Sequence, residues 1–436
     1  MSSPIGGGIR DPLHRNSDQR SNRGLIAHTA LAAGVLVILF ALTSAASRAG
    51  FASLLSSYAD NANQIAAADA AVSLSPSHPD AHYVRAALLE EKDDLAAAIE
   101  EYTQAARLRP HDYVLWLALA RAHELKGNAA GAQAAARQAV ALAPYYAQPH
   151  WQLGNILLRA GQLDEGFGEL RLSGESDPKI VPAIIDLAWQ LSGGDIEFVK
   201  RTIQPQSPDF FKALAEYFKK RGKVTDAIEM FRAAGSTARQ ERLLFLEEMV
   251  TARRFNDAAV LWSMDHPEDL QNMISKLHNP GFEQESSLSD PGFDWRQDNK
   301  SGSLSLSLDL DRPKEGRSSL RVDFNGDSDL GPSIISQLIL VEPGTQYHLQ
   351  FAARTEGLVS GGLPYVSVSN PGDGTVLGQT GLFPRQTVGW QDYVLDFKSG
   401  ENAGAIQLML RRVACSKSPC PIFGHLWLDN FLLVKQ

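Results

Sequence analysis

Hydrophobic and polar positions follow three successive rhythms along this chain. Residues 30–42 (ALAAGVLVILFAL) are an unbroken apolar run, and no Asp, Glu, Lys or Arg occurs over 24–47. As a helix that stretch reaches roughly 36 Å at about 1.5 Å per residue, enough to cross a hydrocarbon layer of about 30 Å. A transmembrane helix is predicted over 25–47. Alanine-rich segments with helical spacing of apolar residues follow, to about residue 268. After Pro267 the composition turns to Ser, Gly and Asp, and residues 303–310 (SLSLSLDL) alternate strictly, as in a half-buried strand.

The helical part is periodic. Pro76, Pro110, Pro144 and Pro178 stand 34 residues apart, each preceded by five residues by Ala71, Ala105, Ala139 or Ser173. Small residues at fixed offsets let paired helices approach closely. A period of this length means stacked helix–turn–helix units, none of which buries its apolar face alone. Complete hairpins are expected over 79–109 (Ala86, Ala98, Tyr102, Ala105) and 113–143 (Trp116, Leu119, Ala120, Gly127, Ala132, Ala136), then a third carrying Leu153, Gly154, Gly161, Gly166 and Leu170. Residues 51–75 read as one helix continuing from the apolar run. Past Pro178 the pattern loosens at Gly193-Gly194-Asp195. It returns with Phe211, Leu214, Ala215, Gly222, Ala227, Phe231 and Ala234, and closes on Phe255, Ala258 and Trp262, for about six hairpins in all.

Residues 60–178 closely resemble the tetratricopeptide repeat family. The resemblance implies an α-solenoid over 51–268 that holds other proteins in a groove lined by the first helix of each hairpin. Tyr83, Arg121, Trp151, Asn155 and Trp189 fall at groove-facing places. The Lys and Asn set with which some members clamp a terminal carboxylate is not visible.

Further strands are expected at 319–324, 334–341, 346–354, 365–369, 391–397, 405–411 and 425–434, separated by Gly, Pro and Asp clusters as in an all-β sandwich. Five strings in order resemble the carbohydrate-binding jelly-roll modules of bacterial cellulases and xylanases. They are NPGFE (279–283) followed by Trp295, EGRSSLRV (315–322), PGTQY (343–347) leading to FAAR (351–354), WQDY (390–393) and LWLDNF (426–431). The resemblance implies a jelly-roll sandwich over 279–436, with Trp295, Trp390 and Trp427 as packing residues. It also implies a structural calcium ion between the first and last strands, with Glu283 and Asp429 at the acidic places and backbone carbonyls completing its six or more oxygens. Sugar rings stack on aromatic faces while their hydroxyls require hydrogen bonds. Off the framework, Tyr365 and Phe383 are the candidate platforms for carbohydrate, with Arg354 and Gln407 as hydrogen-bonding partners.

Charge and chemistry narrow the picture. Lys plus Arg number 41 against 50 Asp plus Glu, a net charge of −9, which argues against a general nucleic-acid binder. Cys415 and Cys420 in CSKSPC suit a small disulfide loop in an oxidising compartment or two free thiols; His425 alone does not make a zinc site with them. No phosphate-cradling glycine loop, HExxH or GxSxG string occurs, and the histidines lack metal-ligand spacing, so no enzyme is expected. Residues 1–24, rich in Gly, Ser, Asn and Arg, read as a disordered leader. Arg10, Arg15, Arg20 and Arg23 precede the apolar run whereas Arg48 stands alone just after it, which places the N-terminus in the cytoplasm. A cleaved signal peptide, cut near Ser44-Ala45-Ala46, is the alternative to an anchor.

The expected protein is therefore multidomain, α plus all-β: one pass through the inner (cytoplasmic) membrane, then a periplasmic or otherwise extracytoplasmic bulk. Its array would bind envelope protein partners and its sandwich a glycan, in assembly or export of surface polysaccharide. The alternatives are a pure assembly factor without sugar binding and an unrecognised glycan hydrolase.

Overall fold

The computed structural model describes residues 14–267, 273–285, 288–298, 304–326, 333–415 and 420–436, with side chains from residue 31 onward. Residues 1–13 of the expected leader, the boundary at 268 and residues 416–419 of the cysteine loop lie outside them. The backbone forms two compact units, Met1–Gln204 and Pro205–Gln436.

The first unit is helical. Its hairpins pair α1 (His14–Ala62) with α2 (Ile65–Leu74), α3 (Pro79–Glu91) with α4 (Leu95–Leu108), and α5 (Tyr113–Leu125) with α6 (Ala129–Leu142). They continue with α7 (Ala147–Arg159) and α8 (Leu163–Ser176), then α9 (Val181–Leu191) and α10 (Ile196–Ile203). Helix α1 starts inside the stretch expected to be disordered and runs for 49 residues. Between His14 and Arg23 no Gly or Pro stands to interrupt it. Its segment Leu31–Ala62 is long and apolar enough to cross a membrane, a property that anchors and signal sequences share.

Residues 51–75 are not one helix. Asn63, with φ 52°, turns the chain so that α2 folds back on α1, and Ala52, Ala59, Ala68 and Ala71 become fully buried. This gives seven hairpins among the described residues where about six were expected. The same left-handed turn recurs at Asp93 (φ 62°), Gly127 and Gly161 (φ 77°), Gly222 (φ 69°) and Arg253 (φ 61°).

Close helix approach explains the small residues. Where α7 crosses α8, a Cβ added to Gly154 would lie 2.8 Å from Leu170 Cγ and 2.9 Å from the Gly166 carbonyl oxygen. One and two periods earlier the same pair is Ala120 with Ala132 and Ala86 with Ala98, all fully buried. Gly154→Val therefore overpacks this crossing and costs about 1–3 kcal/mol. Urea unfolding reads this as a lower midpoint at unchanged slope; an unchanged midpoint would contradict the close approach.

A second feature repeats at twice the period. His82 and His150 are both buried. In each, Nε2 donates to a proline carbonyl, Pro76 at 2.8 Å or Pro144 at 2.9 Å. Each Nδ1 meets a carboxylate, Glu101 or Glu169, at 2.6 Å. In the hairpin between them Trp116 holds the equivalent place, its Nε1 donating to the Pro110 carbonyl at 3.0 Å, and Ala135 stands where the glutamate would be. The periodic prolines thus end one helix and supply the acceptor that holds the next.

The second unit begins with two hairpins, α11 (Pro208–Lys220) with α12 (Val224–Ala234) and α13 (Arg239–Thr251) with α14 (Phe255–Trp262). Buried Trp262 ends α14 and stacks on His266 at 4.0 Å between ring centroids, with His278 and Phe293 edge-on. It fastens the segment entering the sandwich to the last helix.

The sandwich strands are β1 (Arg296–Gln297), β2 (Leu304–Asp309), β3 (Ser319–Asn325), β4 (Ile335–Leu340), β5 (Gln346–Ser360), β6 (Pro364–Ser369), β7 (Val376–Gln379), β8 (Val388–Lys398), β9 (Ala405–Arg412) and β10 (Ile422–Lys435). They form two antiparallel sheets, β1-β4-β9-β6-β7 and β2-β3-β10-β5-β8. Alternation sends Ile335, Ile339, Val366, Val368, Ile406 and Leu408 of the first sheet inward against Val322, Leu349, Phe351 and Leu426 of the second. Trp295, Phe282, Phe431 and Phe351 form an aromatic file through this core.

Candidate functional site

In the helical array, the expected groove residues are half-buried or exposed, and several are already engaged. Arg121 of α5 reaches the preceding hairpin, its Nε 3.1 Å from Glu90 Oε1 and its Nη2 3.4 Å from the Tyr102 hydroxyl. Tyr102 in turn donates to Glu90 at 3.0 Å, and Tyr83 tilts against its ring at 5.7 Å. Burial, then the Glu90 carboxylate, push the Tyr102 hydroxyl far above its ordinary value. Burial lowers Arg121, but Glu90 and Tyr102 together more than offset that and hold it above its ordinary value. Tyr83 and Arg121 thus come together in one cluster that ties two hairpins. Asn155 donates to the carbonyl of Trp151, one turn earlier on α7, at 2.8 Å. Trp189 of α9 lies beside Gly194, whose added Cβ would meet its ring at 3.1 Å.

In the sandwich the expected carbohydrate residues do not form one site. Tyr365 on β6 and Gln407 on β9 alternate with core residues, so both lie on the outer face of the first sheet, with Ser336, Leu338, Ser367, Ser369 and Met409. Ser367 is fully buried there and its hydroxyl has no partner among the described residues. Gln407 donates to Ser336 Oγ at 3.3 Å. A cavity of about 300 Å³ opens at this end of the face, bounded by Gln407, Ser336, Leu338 and Arg296 of the sandwich and by Glu247, Arg253 and Phe255 of the α13–α14 hairpin.

Two assignments need correction. Phe383 is fully buried, edge-on to Phe351 and Tyr393, so it is core and offers no platform to a sugar. Arg354 sits on the second sheet, away from Tyr365 and Gln407, and its guanidinium covers the ring of Trp427 at 4.0 Å. Trp427 is almost fully buried although it faces outward: Arg321 and Arg354 flank it across neighbouring strands, and its Nε1 donates to Asp309 Oδ2 at 2.6 Å. Sequence reasoning placed Trp427 in the core; the cation–π roof that buries it gave no signal short of the strand register. Trp295 is core, and Trp390 is half-buried with its Nε1 on the Arg312 carbonyl at 2.9 Å.

Glu283 and Asp429 do come together, at the turn before β3. Asp429 Oδ2 accepts from the backbone N–H groups of Lys314 (2.8 Å) and Glu315 (3.2 Å), and Oδ1 from Asn430 (2.7 Å). Glu283 accepts from the Arg317 N–H at 3.0 and 2.9 Å. Burial first, and the neighbouring Glu283 charge, raise Asp429 above the usual carboxylate range. A calcium ion needs oxygens, whereas this turn presents N–H donors to both acids. No cluster of three or more His, Cys, Asp or Glu occurs among the described residues. As arranged, the pair fits a turn clamp and not a calcium site. Cys415 and Cys420 are joined as a disulfide, with Arg412 reaching Ser360 Oγ and the Cys420 carbonyl, each at 2.9 Å.

No family model matches the sequence. No curated protein matches it. Among solved structures, the chain is similar to MamA, with 21% identity over 36% of this chain and 89% of that one, at a TM-score of 0.30. It is similar to YrrB, described as a TPR protein with an unusual peptide-binding site, at 19% identity, 42% and 84% coverage and a TM-score of 0.31. The CBM22-1 xylan-binding domain of Paenibacillus barcinonensis Xyn10C gives 12% identity, 36% and 90% coverage and a TM-score of 0.25. The chain joins a tetratricopeptide-like array to a jelly-roll sandwich.

Proposed function

We propose that this chain is a non-catalytic scaffold whose helical array takes a protein partner and whose sandwich takes a glycan. The observation that carries the glycan half is the outer face of the first sheet. There half-buried Tyr365 and Gln407 lie on the same side of the sheet, and Gln407 borders a cavity of about 300 Å³. One aromatic ring and one side-chain amide on the same side of a sheet suit a polysaccharide, which offers apolar C–H faces edged with hydroxyls. The protein half is supported by the half-exposed Trp151 and Trp189 on first helices of neighbouring hairpins. With α1 as an uncleaved anchor and the N-terminus cytoplasmic, both surfaces lie outside the cytoplasm. Assembly or export of a surface polysaccharide is the process that would use them together.

The test is a glycan array probed with the full-length protein in detergent. Tyr365→Ala and Gln407→Ala are each expected to weaken the strongest signal at least about tenfold, equivalent to 1.4 kcal/mol or more. A wild-type protein that binds no glycan overturns the glycan half and leaves a pure assembly factor. Release of sugar by the purified protein overturns the non-catalytic reading.

A further inference from the structure

A second cleft, of about 570 Å³, lies between the α13–α14 turn and two loops of the sandwich, 370–373 and 400–404. Its size is within the range of sites that enclose small ligands. Its lining is mixed in charge and rich in amides: Asn256, Asn370 and Asn402 come from three separate segments. Asn256 and Asn402 are exposed, and their side chains hydrogen-bond to none of the described residues. Two of the carboxylates are already neutralised, Asp257 by Arg254 at 2.7 Å and Glu401 by Lys398 at 2.9 Å. What remains is one cation, Arg253, and one anion, Asp373, whose carboxyl the Thr375 N–H holds below the usual range. No net positive charge is left for a phosphate, and no broad apolar lining for a lipid. Half-buried Phe255 adds a single ring next to Gly404.

The backbone singles out the same place. Arg253 holds the left-handed turn position that the other hairpins give to Asn, Asp or Gly. A side chain with a Cβ is strained in that conformation, and strain of this kind concentrates at functional positions. Its guanidinium crosses to the Gly372 carbonyl and so fixes the turn over the cleft.

We infer that this cleft is a saccharide-binding site, in which the Phe255 ring carries one sugar residue and its hydroxyls are bound by Asn256, Asn402 and the Nδ2 of Asn370, whose Oδ1 already accepts from the Gly372 N–H at 2.9 Å. The inference rests on the glycan reading above and extends it. Arg253 and Phe255 also border the cavity beside Gln407, so one extended chain reaches from the sheet face past Phe255 into the cleft. The α13–α14 turn forms one wall, so a sandwich by itself would lack the site.

Calorimetry of the full-length protein with the oligosaccharide that the array ranks highest tests it. The double variant Asn256→Ala/Asn402→Ala changes only exposed side chains, and an unchanged Tm confirms its fold. It is expected to lose at least about tenfold in affinity, and Phe255→Ala as much or more. If Tyr365→Ala and Gln407→Ala weaken binding while the asparagine variant binds like wild type, the cleft is overturned and the glycan reading stands. If the wild type binds no glycan, both fall.

Discussion

Trp295→Ala lowers the stability of the sandwich by about 3–5 kcal/mol, the cost of emptying a tryptophan site in a packed core. Trp295 is 1% exposed and has Phe282 and Phe431 at 5.0 and 5.1 Å between ring centroids. Its Nε1 donates to the Asn279 carbonyl at 3.1 Å, which pins the segment that opens the sandwich to the core. The substitution thus removes both the largest aromatic contact and the anchor of that segment. Denaturant unfolding followed by the remaining sandwich fluorescence measures it. A loss under about 1 kcal/mol would show that the aromatic file is not the centre of the core.

Asp429→Ala is expected to cost about 3 kcal/mol, because three backbone N–H groups lose their acceptor and each buried unpaired group costs about 1–3 kcal/mol less whatever water recovers. Asp429→Asn keeps one carbonyl oxygen and is expected to cost less than half as much. The pH dependence separates charge from hydrogen bonding. In the unfolded chain this carboxyl ionises at its ordinary value of 3.8; in the folded chain it ionises at higher pH, because burial and Glu283 disfavour the charge. The stability it contributes is therefore fully present below about pH 3.8 and is lost as pH rises through the raised folded value. Asp429→Asn removes that fall. The difference between wild type and the Asn variant, measured across acid pH, should carry this slope; a flat difference would mean that the folded carboxyl is not raised above its ordinary value.

Most of the architecture was legible because its determinants are local. The 34-residue prolines, the small residues at helix crossings and the period-two alternation are visible in a few residues each, and each of the eight expected strands overlaps one of β2–β6 and β8–β10. The strands β1 and β7, two and four residues long, are too short to show a period. The α1–α2 turn escaped because Asn63 does there what Gly does at 127 and 161. The His82–Glu101 and His150–Glu169 contacts were hidden for another reason: each joins two helices across 19 residues, and the repeat spacing alone does not mark them. Phe383 was misjudged because it lies in irregular chain between β7 and β8, where burial follows no period. Arg354 and Gln407 failed as a pair because alternation tells which face of a strand a residue takes, not which sheet the strand joins.

Helix α1 carries its apolar segment into the first hairpin with no break between His14 and Ala62. A flexible tether would let the repeats swivel freely at the end of their leash. Here, whatever grips the apolar half also dictates the tilt and heading of the first hairpin, which makes the helix a mast instead of a rope. Inserting a short glycine-rich stretch just after Arg48 would release that mechanical coupling while leaving both ends intact.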